Sequence, residues 1–198
     1  MSFNPLVNPL PSLWVSFQIS ENSFKVVKRV IRQTNTQNID CQAELLKYQR
    51  HLLNHTKFPT QDNIELLIQQ TEKDNKDLFI LGLWASFERF VRDYLQQKAT
   101  ALKKSMQPPT LADSFYQHLY KEVEYWKPAD ILEFLKDSLF TSIGGKNLIG
   151  VAKQILEYRD WVAHGKNPRK LPSATHLKPK IVYETLNEIV NILLQHYP

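Results

Sequence analysis

Between Leu148 and Val162 the apolar residues Leu148, Val151, Ile155, Tyr158 and Val162 recur at alternating steps of three and four, the period of one helix face. The pattern stops at Gly165, the residue type that best tolerates the left-handed backbone just past a helix end, and Pro168 blocks resumption. A helix striped in this way must bury its apolar side against other helices. Similar spacing covers most of the chain after Asn38, and only 5 glycines in 198 residues leave little room for flexible linkers. The expected fold class is therefore mainly α, a helical bundle.

The first third of the chain is harder to assign. Pro5, Pro9 and Pro11 make residues 1–12 an extended arm, with Phe3, Leu6 and Leu10 as its apolar contacts. Val15, Phe17 and Ile19 alternate with Ser16 and Gln18, which favours a strand, and Glu21-Asn22-Ser23 reads as a turn with Phe24–Ile31 returning. Phe24, Val27, Val30 and Ile31 also fit a helix face with Lys25, Lys28, Arg29 and Arg32 outside. The alternation tips the reading slightly towards a β-hairpin. Residues 1–40 are thus expected as a short N-terminal extension, an arm with a hairpin, and residues 41–198 as the helical domain.

Within that domain a helix is expected over Ala43–His55. Ile64, Leu67 and Ile68 begin a second pattern that resumes at Ile80, Trp84, Phe87, Val91, Tyr94 and Leu95, with the polar window Glu72–Asp77 either exposed on one long helix or separating two. Leu111, Phe115, Leu119, Val123 and Trp126 mark the next apolar face, and Pro128 suits the first turn of its successor. Thr141–Gly145 is a loop, the striped helix follows from about Lys146, and a last helix opens at Pro179 with Val182, Leu186, Ile189, Leu193 and Tyr197 on one side. Trp14, Trp84 and Trp126 read as core.

Composition narrows the function classes. The 25 basic against 20 acidic residues give a net charge of +5, compatible with a polyanionic partner. A single cysteine, Cys41, excludes an internal disulfide framework and a multi-thiolate metal site. No apolar run reaches the roughly 18 residues of a membrane span, and the proline-broken N-terminus is unlike a secretion signal, so a soluble cytoplasmic protein with no membrane association is expected. Gly144-Gly145-Lys146 lacks the rest of a phosphate-binding loop, and no zinc spacing or acidic cluster occurs. No cofactor and no metal are expected.

Arg159, Asp160 and His164 crowd the last turns of the striped helix. The spacing of Arg and His alone is weak evidence, because Arg50 and His55 share it, and Arg169 and His176 repeat it with two more intervening residues. Context separates them. Arg50–His55 lacks the carboxylate after the arginine and the glycine after the histidine, and Arg169–His176 spans Pro172, which no regular helix tolerates. The bland alternative for His164 is a helix C-terminal histidine that interacts with the helix dipole.

Arg159-Asp-Trp-Val-Ala-His-Gly165 resembles the Arg-polar-x-x-x-His signature of HEPN domains, many of which are metal-independent ribonucleases. Leu83-Trp-Ala-Ser-Phe-Glu-Arg-Phe-Val-Arg-Asp-Tyr-Leu95 is similar to the long helix preceding that signature in the RiboL-PSP-like branch, and the closing helix from Pro179 fits as well. The resemblance covers residues 60–197. Position 160 holds Asp where Asn is frequent in the family, and both occur. What the resemblance implies is a HEPN-like bundle that dimerises across the motif helix, with RNA as substrate. It also implies a role as a toxin or in phage and stress defence, with an antitoxin or defence-system partner.

The residue chemistry agrees with that implication. Metal-free RNA cleavage needs an acid or base titrating near neutrality, which histidine supplies, and a permanently charged planar fork over the phosphorane, which arginine supplies. The nucleophile would be the RNA 2′-hydroxyl. His164 is thus expected as general acid/base, Arg159 as transition-state clamp and Asp160, about 40° away on the helix, as the group that orients the imidazole. Arg159 and His164 lie about 140° apart on an ideal helix, so either the last turn distorts or two copies form a composite cleft. Glu88 reads as a partner holding Arg159, or as a solvent-facing pair with Arg92. Asn167 either contacts phosphate or turns the chain. Lys166, Arg169 and Lys170 build a potential for RNA or are ordinary loop charge. Trp161 either stacks a base or, the reading preferred, packs in a core or dimer interface.

Overall fold

The computed structural model describes residues 6–33, 64–142 and 144–196, together with helical positions 44, 47 and 51. Among the described residues the regular structure is helical: α1 (Leu10–Gln33), α2 (Ile64–Ser105), α3 (Pro109–Tyr125), α4 (Pro128–Leu135), α5 (Lys146–Ala163) and α6 (Pro179–His196). The mainly α class is found. The helix expected over Ala43–His55 lies largely outside the described residues. By contact density the chain forms two compact units, residues 1–13 with 79–198, and residues 14–78.

Helix α1 replaces the hairpin expected over residues 13–31. Shielding from solvent follows a helical period through Leu13, Trp14, Phe17, Ser20, Glu21, Phe24, Val27 and Lys28. Val15 and Ile19, two members of the supposed alternating face, are 54% and 62% exposed. The shielded face contains polar residues, which hid its period. In the 14–78 unit those residues are partnered: Lys28 pairs with Glu72, Lys76 lies 3.5 Å from Glu21 and 3.4 Å from Glu72, and the Asn75 amide donates to Ser20 at 3.1 Å. The hydrogen bond from Lys28 holds the Glu72 carboxyl below its usual range, against the upward push of burial. Helix α2 runs unbroken for 42 residues, so the Glu72–Asp77 window lies within one long helix.

In the larger unit, Ile80, Leu83, Trp84, Phe87 and Val91 of α2 share one core with Leu135 of α4, Ile149, Ala152 and Ile155 of α5, and Val182, Leu186, Ile189 and Leu193 of α6. Full burial of each large side chain contributes about 1.5–3 kcal/mol before ordering costs. Leu10 belongs to this core, and the Asn8 amide donates to Asn187 at 2.8 Å and Asn191 at 3.0 Å on α6. The N-terminal arm is thereby fastened to the last helix.

Two apolar faces differ from expectation. On α5 burial centres on Ile149, Ala152, Ile155, Leu156 and Tyr158, while Leu148, Val151 and Val162 flank the core. On α3 only Ala112 and Val123 are buried, and Leu111 and Phe115 stay 49% and 55% exposed. After α4 the chain makes one π-helical turn, Lys136–Phe140, in which the Thr141 N–H bonds the Lys136 carbonyl at 2.9 Å. Gly145 then starts α5 where a Cβ would meet the Phe140 ring at 2.7 Å, so the site demands glycine.

Candidate functional site

Trp84 and Glu88, one helical turn apart on α2, meet Arg159 of α5, and Arg92 one turn further on meets Glu88. Glu88 is the hub. One of its carboxylate oxygens accepts from the Arg159 guanidinium and from the Trp84 indole N–H, each at 3.0 Å. The other accepts from Arg92 at 2.7 Å. Arg159 also reaches the Asp160 carboxylate at 2.7 Å and lies over the Trp84 ring, 5.9 Å from its centroid. The Arg159 fork is therefore fixed by two carboxylates and one aromatic face, with its side chain 26% exposed. At that partial exposure the pair with Glu88 contributes roughly 1 kcal/mol to stability, so its larger consequence is geometric.

Arg92 is the buried end of the cluster. Its side chain is 9% exposed, and it donates to the main-chain carbonyls of Val123 and, at 2.8 Å, Trp126, where α3 ends. Glu88 thus holds Arg159 and pairs with Arg92 at once, and that second pair is shielded by the fold where the alternative had it facing solvent. Trp84 and Arg92 were not picked out as members of the site. Their signal was present in the sequence, because Trp84, Glu88 and Arg92 follow one another at i, i+4 on a single helix face.

The end of α5 is closed by its own backbone. His164 caps the helix, its N–H still bonding the Asp160 carbonyl at 3.0 Å. The Gly165 N–H bonds the Val162 carbonyl at 3.1 Å and the Lys166 N–H bonds the Trp161 carbonyl at 2.8 Å, the paired bonds of a Schellman motif. Gly165 takes φ 78° as that motif requires, and Lys166 follows at φ 57°, an unusual value for a side-chain-bearing residue. The His164 side chain is left exposed, with no hydrogen bond to another described residue.

Asp160 was expected to orient the imidazole, and its carboxylate is instead taken by Arg159. The neighbouring guanidinium offers a full charge and a planar set of donors, a stronger partner than an imidazole one turn away. Asn167 turns the chain: its side-chain oxygen accepts from the Arg169 N–H at 2.9 Å, and its carbonyl accepts the Trp161 indole N–H at 3.0 Å. Trp161 packs beside Tyr158, ring centroids 5.8 Å apart, at the edge of the core. The basic segment that follows is tied again where Glu157 accepts from the Ser173 N–H at 3.1 Å. Between those ties Arg169 and Lys170 are exposed, and Lys166, just before the first of them, is half-buried. Arg159, Asp160 and Glu88 are in direct contact; His164 stands one turn beyond them, and the loop cations follow it along the chain.

Among the described residues no group of three or more His, Cys, Asp or Glu is placed to hold a metal ion, and no helix is long and apolar enough to cross a membrane. Comparison with family models, with curated proteins and with solved structures gives no match for this chain.

Proposed function

We propose that this chain is a HEPN-type endoribonuclease that cleaves RNA without a metal, through attack of the 2′-hydroxyl on the adjacent phosphate. The observation that carries the reading is the pairing of an immobilised, partly exposed Arg159 guanidinium with an exposed His164, on the same helix end, that makes no side-chain hydrogen bond to another described residue. Arg159 offers its fork to the phosphorane oxygens, where a fixed cation stabilises charge that develops only in the transition state. His164 moves the proton between the 2′-hydroxyl and the leaving 5′-oxygen. Glu88 and Asp160 act through Arg159 as positioning residues, and Lys166, Arg169 and Lys170 supply a basic approach for the RNA backbone.

Helix α5 stays regular through Ala163, which keeps Arg159 and His164 about 140° apart around its axis. The reading therefore includes a homodimer across α5, in which Arg159 of one copy faces the partner copy's histidine. A cytoplasmic toxin or defence effector held by an antitoxin is the setting such an activity suits.

A second reading has its own support. Arg159 is matched by two carboxylates, a degree of compensation that also suits a structural tie between α2 and α5 in a non-catalytic module binding a nucleotide or a protein. Incubating the full chain with RNA in EDTA separates the two. Cleavage leaving 2′,3′-cyclic phosphates, lost in His164→Ala and in Arg159→Ala, is expected. Mixing the two inactive variants should restore partial activity, because one of the two clefts in a mixed dimer regains both residues. RNA left intact by a folded wild-type dimer would favour the binding module.

A further inference from the structure

The connection from α5 to α6 is chemically one-sided. Between Asp160 and Glu184 the chain contains no acidic residue, and Lys166, Arg169, Lys170, Lys178 and Lys180 fall within that interval. Those five match the whole net charge of +5, since the other 20 basic residues equal the 20 acidic ones in number. The backbone beneath them is tied down: the Lys170 N–H bonds the Asn167 carbonyl at 3.1 Å, and the Ser173 N–H and hydroxyl donate to Glu157 of α5 at 3.1 and 2.5 Å. The bordering acids are engaged, Asp160 with Arg159 and Glu157 with Ser173, while Lys180 lies 3.6 Å from Glu184. Arg169, Lys170 and Lys178 are exposed and make no side-chain bond to another described residue.

The same stretch is poor in groups that read a base or a sugar. From Val162 to Val182 there is no Phe, Tyr or Trp on which a base could stack, and the one side-chain amide, Asn167, is turned onto the Arg169 N–H at 2.9 Å. Cations on a fixed main chain, without such readers, recognise phosphate, which positions a strand but carries no sequence. A folded acidic protein would instead need aromatic or apolar anchors. Leu171 and Ile181 are the exposed large apolar side chains that the stretch offers. We infer that Arg169, Lys170 and Lys178 form a site for the backbone of single-stranded nucleic acid of either sugar. Single-stranded DNA then binds as RNA does and, lacking the 2′-hydroxyl nucleophile, blocks the site uncut. The blocking rests on the nuclease reading; the binding does not.

Fluorescence anisotropy of the full chain with labelled oligothymidylate and oligouridylate of equal length tests this. Affinities within about threefold of each other, both falling with salt, are expected. Arg169→Gln, Lys170→Gln and Lys178→Gln together should lower the slope of log affinity against log salt by about 2, roughly 0.7 for each phosphate contact on a single strand. Lys104, Lys121 and Lys127 are also exposed and without a side-chain bond to another described residue, so changing those three to Gln removes the same charge elsewhere and should leave the slope unchanged. Oligothymidylate should inhibit RNA cleavage competitively, at concentrations set by its measured affinity. A preference for RNA above about tenfold, equal losses in the two triple variants, or polyglutamate binding as tightly as oligothymidylate would overturn the assignment. RNA cleaved by a protein that binds no DNA would remove the inference and leave the nuclease; DNA bound by a protein that cleaves no RNA would uphold the site and remove the nuclease.

Discussion

The C-terminal ends of α3 and α5 answer the same demand in opposite ways, since each helix must satisfy carbonyls that its own ladder leaves free. At α3 the donor comes from another helix: Arg92 donates to the carbonyls of Val123 and, at 2.8 Å, Trp126. At α5 the backbone folds back on itself through Gly165 and Lys166. An end closed by a buried side chain of a neighbour is fixed by packing and has little freedom for anything else. An end closed by its own main chain releases its side chains, and His164 is one of them.

The contrast predicts where stability and activity separate. Arg92→Met should have the largest effect, a loss of about 3–5 kcal/mol in urea unfolding, because it strips two carbonyls and one Glu88 oxygen of their buried donor. A loss below about 1 kcal/mol would erase the distinction between the two ends. Gly165→Ala should cost about 1–2 kcal/mol, the penalty for a Cβ in left-handed backbone, and Gly165→Asn less than that. Equal losses for the two would point to a cause other than backbone conformation.

A smaller, pH-dependent effect belongs to the α3 end. Burial pushes the Glu124 carboxyl upward, but hydrogen bonds from Gln96 and Arg89 outweigh it and leave the group below its ordinary value of 4.5. Between α4 and α5, Lys136 and then Lys153 hold Glu133 at about 2. Carboxyls lowered in the folded state stabilise it above their unfolded values and lose that contribution as pH falls through the folded ones. Melting temperature should therefore decline below about pH 4.5, and Glu124→Gln should flatten part of the decline; an unchanged acid limb would sink this attribution. His164→Ala should have the smallest effect on folding, within about 0.5 kcal/mol, while removing the proposed RNA cleavage. A substantial stability loss there would mean that the α5 end is not as free as its exposure indicates.

Particular residues show what could be read in advance. Gly165 and Pro168 announced the end of α5, Pro128 the start of α4 and Pro179 the start of α6, because each acts through a local backbone constraint. The hairpin expectation failed where local pattern and burial diverge, with Ser20, Glu21 and Lys28 on the shielded face of α1 and Val15 and Ile19 outside. Leu111 and Phe115 failed for a related reason: apolar character indicates what burial would favour, and the packing of α3 leaves those two in water.

The sequence by itself determined the helical class, most helix boundaries in the larger unit, and the grouping of Arg159, Asp160 and His164 on one helix end. These depend on backbone preferences and on spacings of a few residues. Only the tertiary structure decided the partners. That Glu88 holds Arg159 across 71 positions of sequence and that Arg92 closes α3 are outcomes of how α2, α3 and α5 pack. Hydrogen bonds between distant groups are chosen by competition among the donors that packing brings within about 3 Å, and no local pattern records that competition.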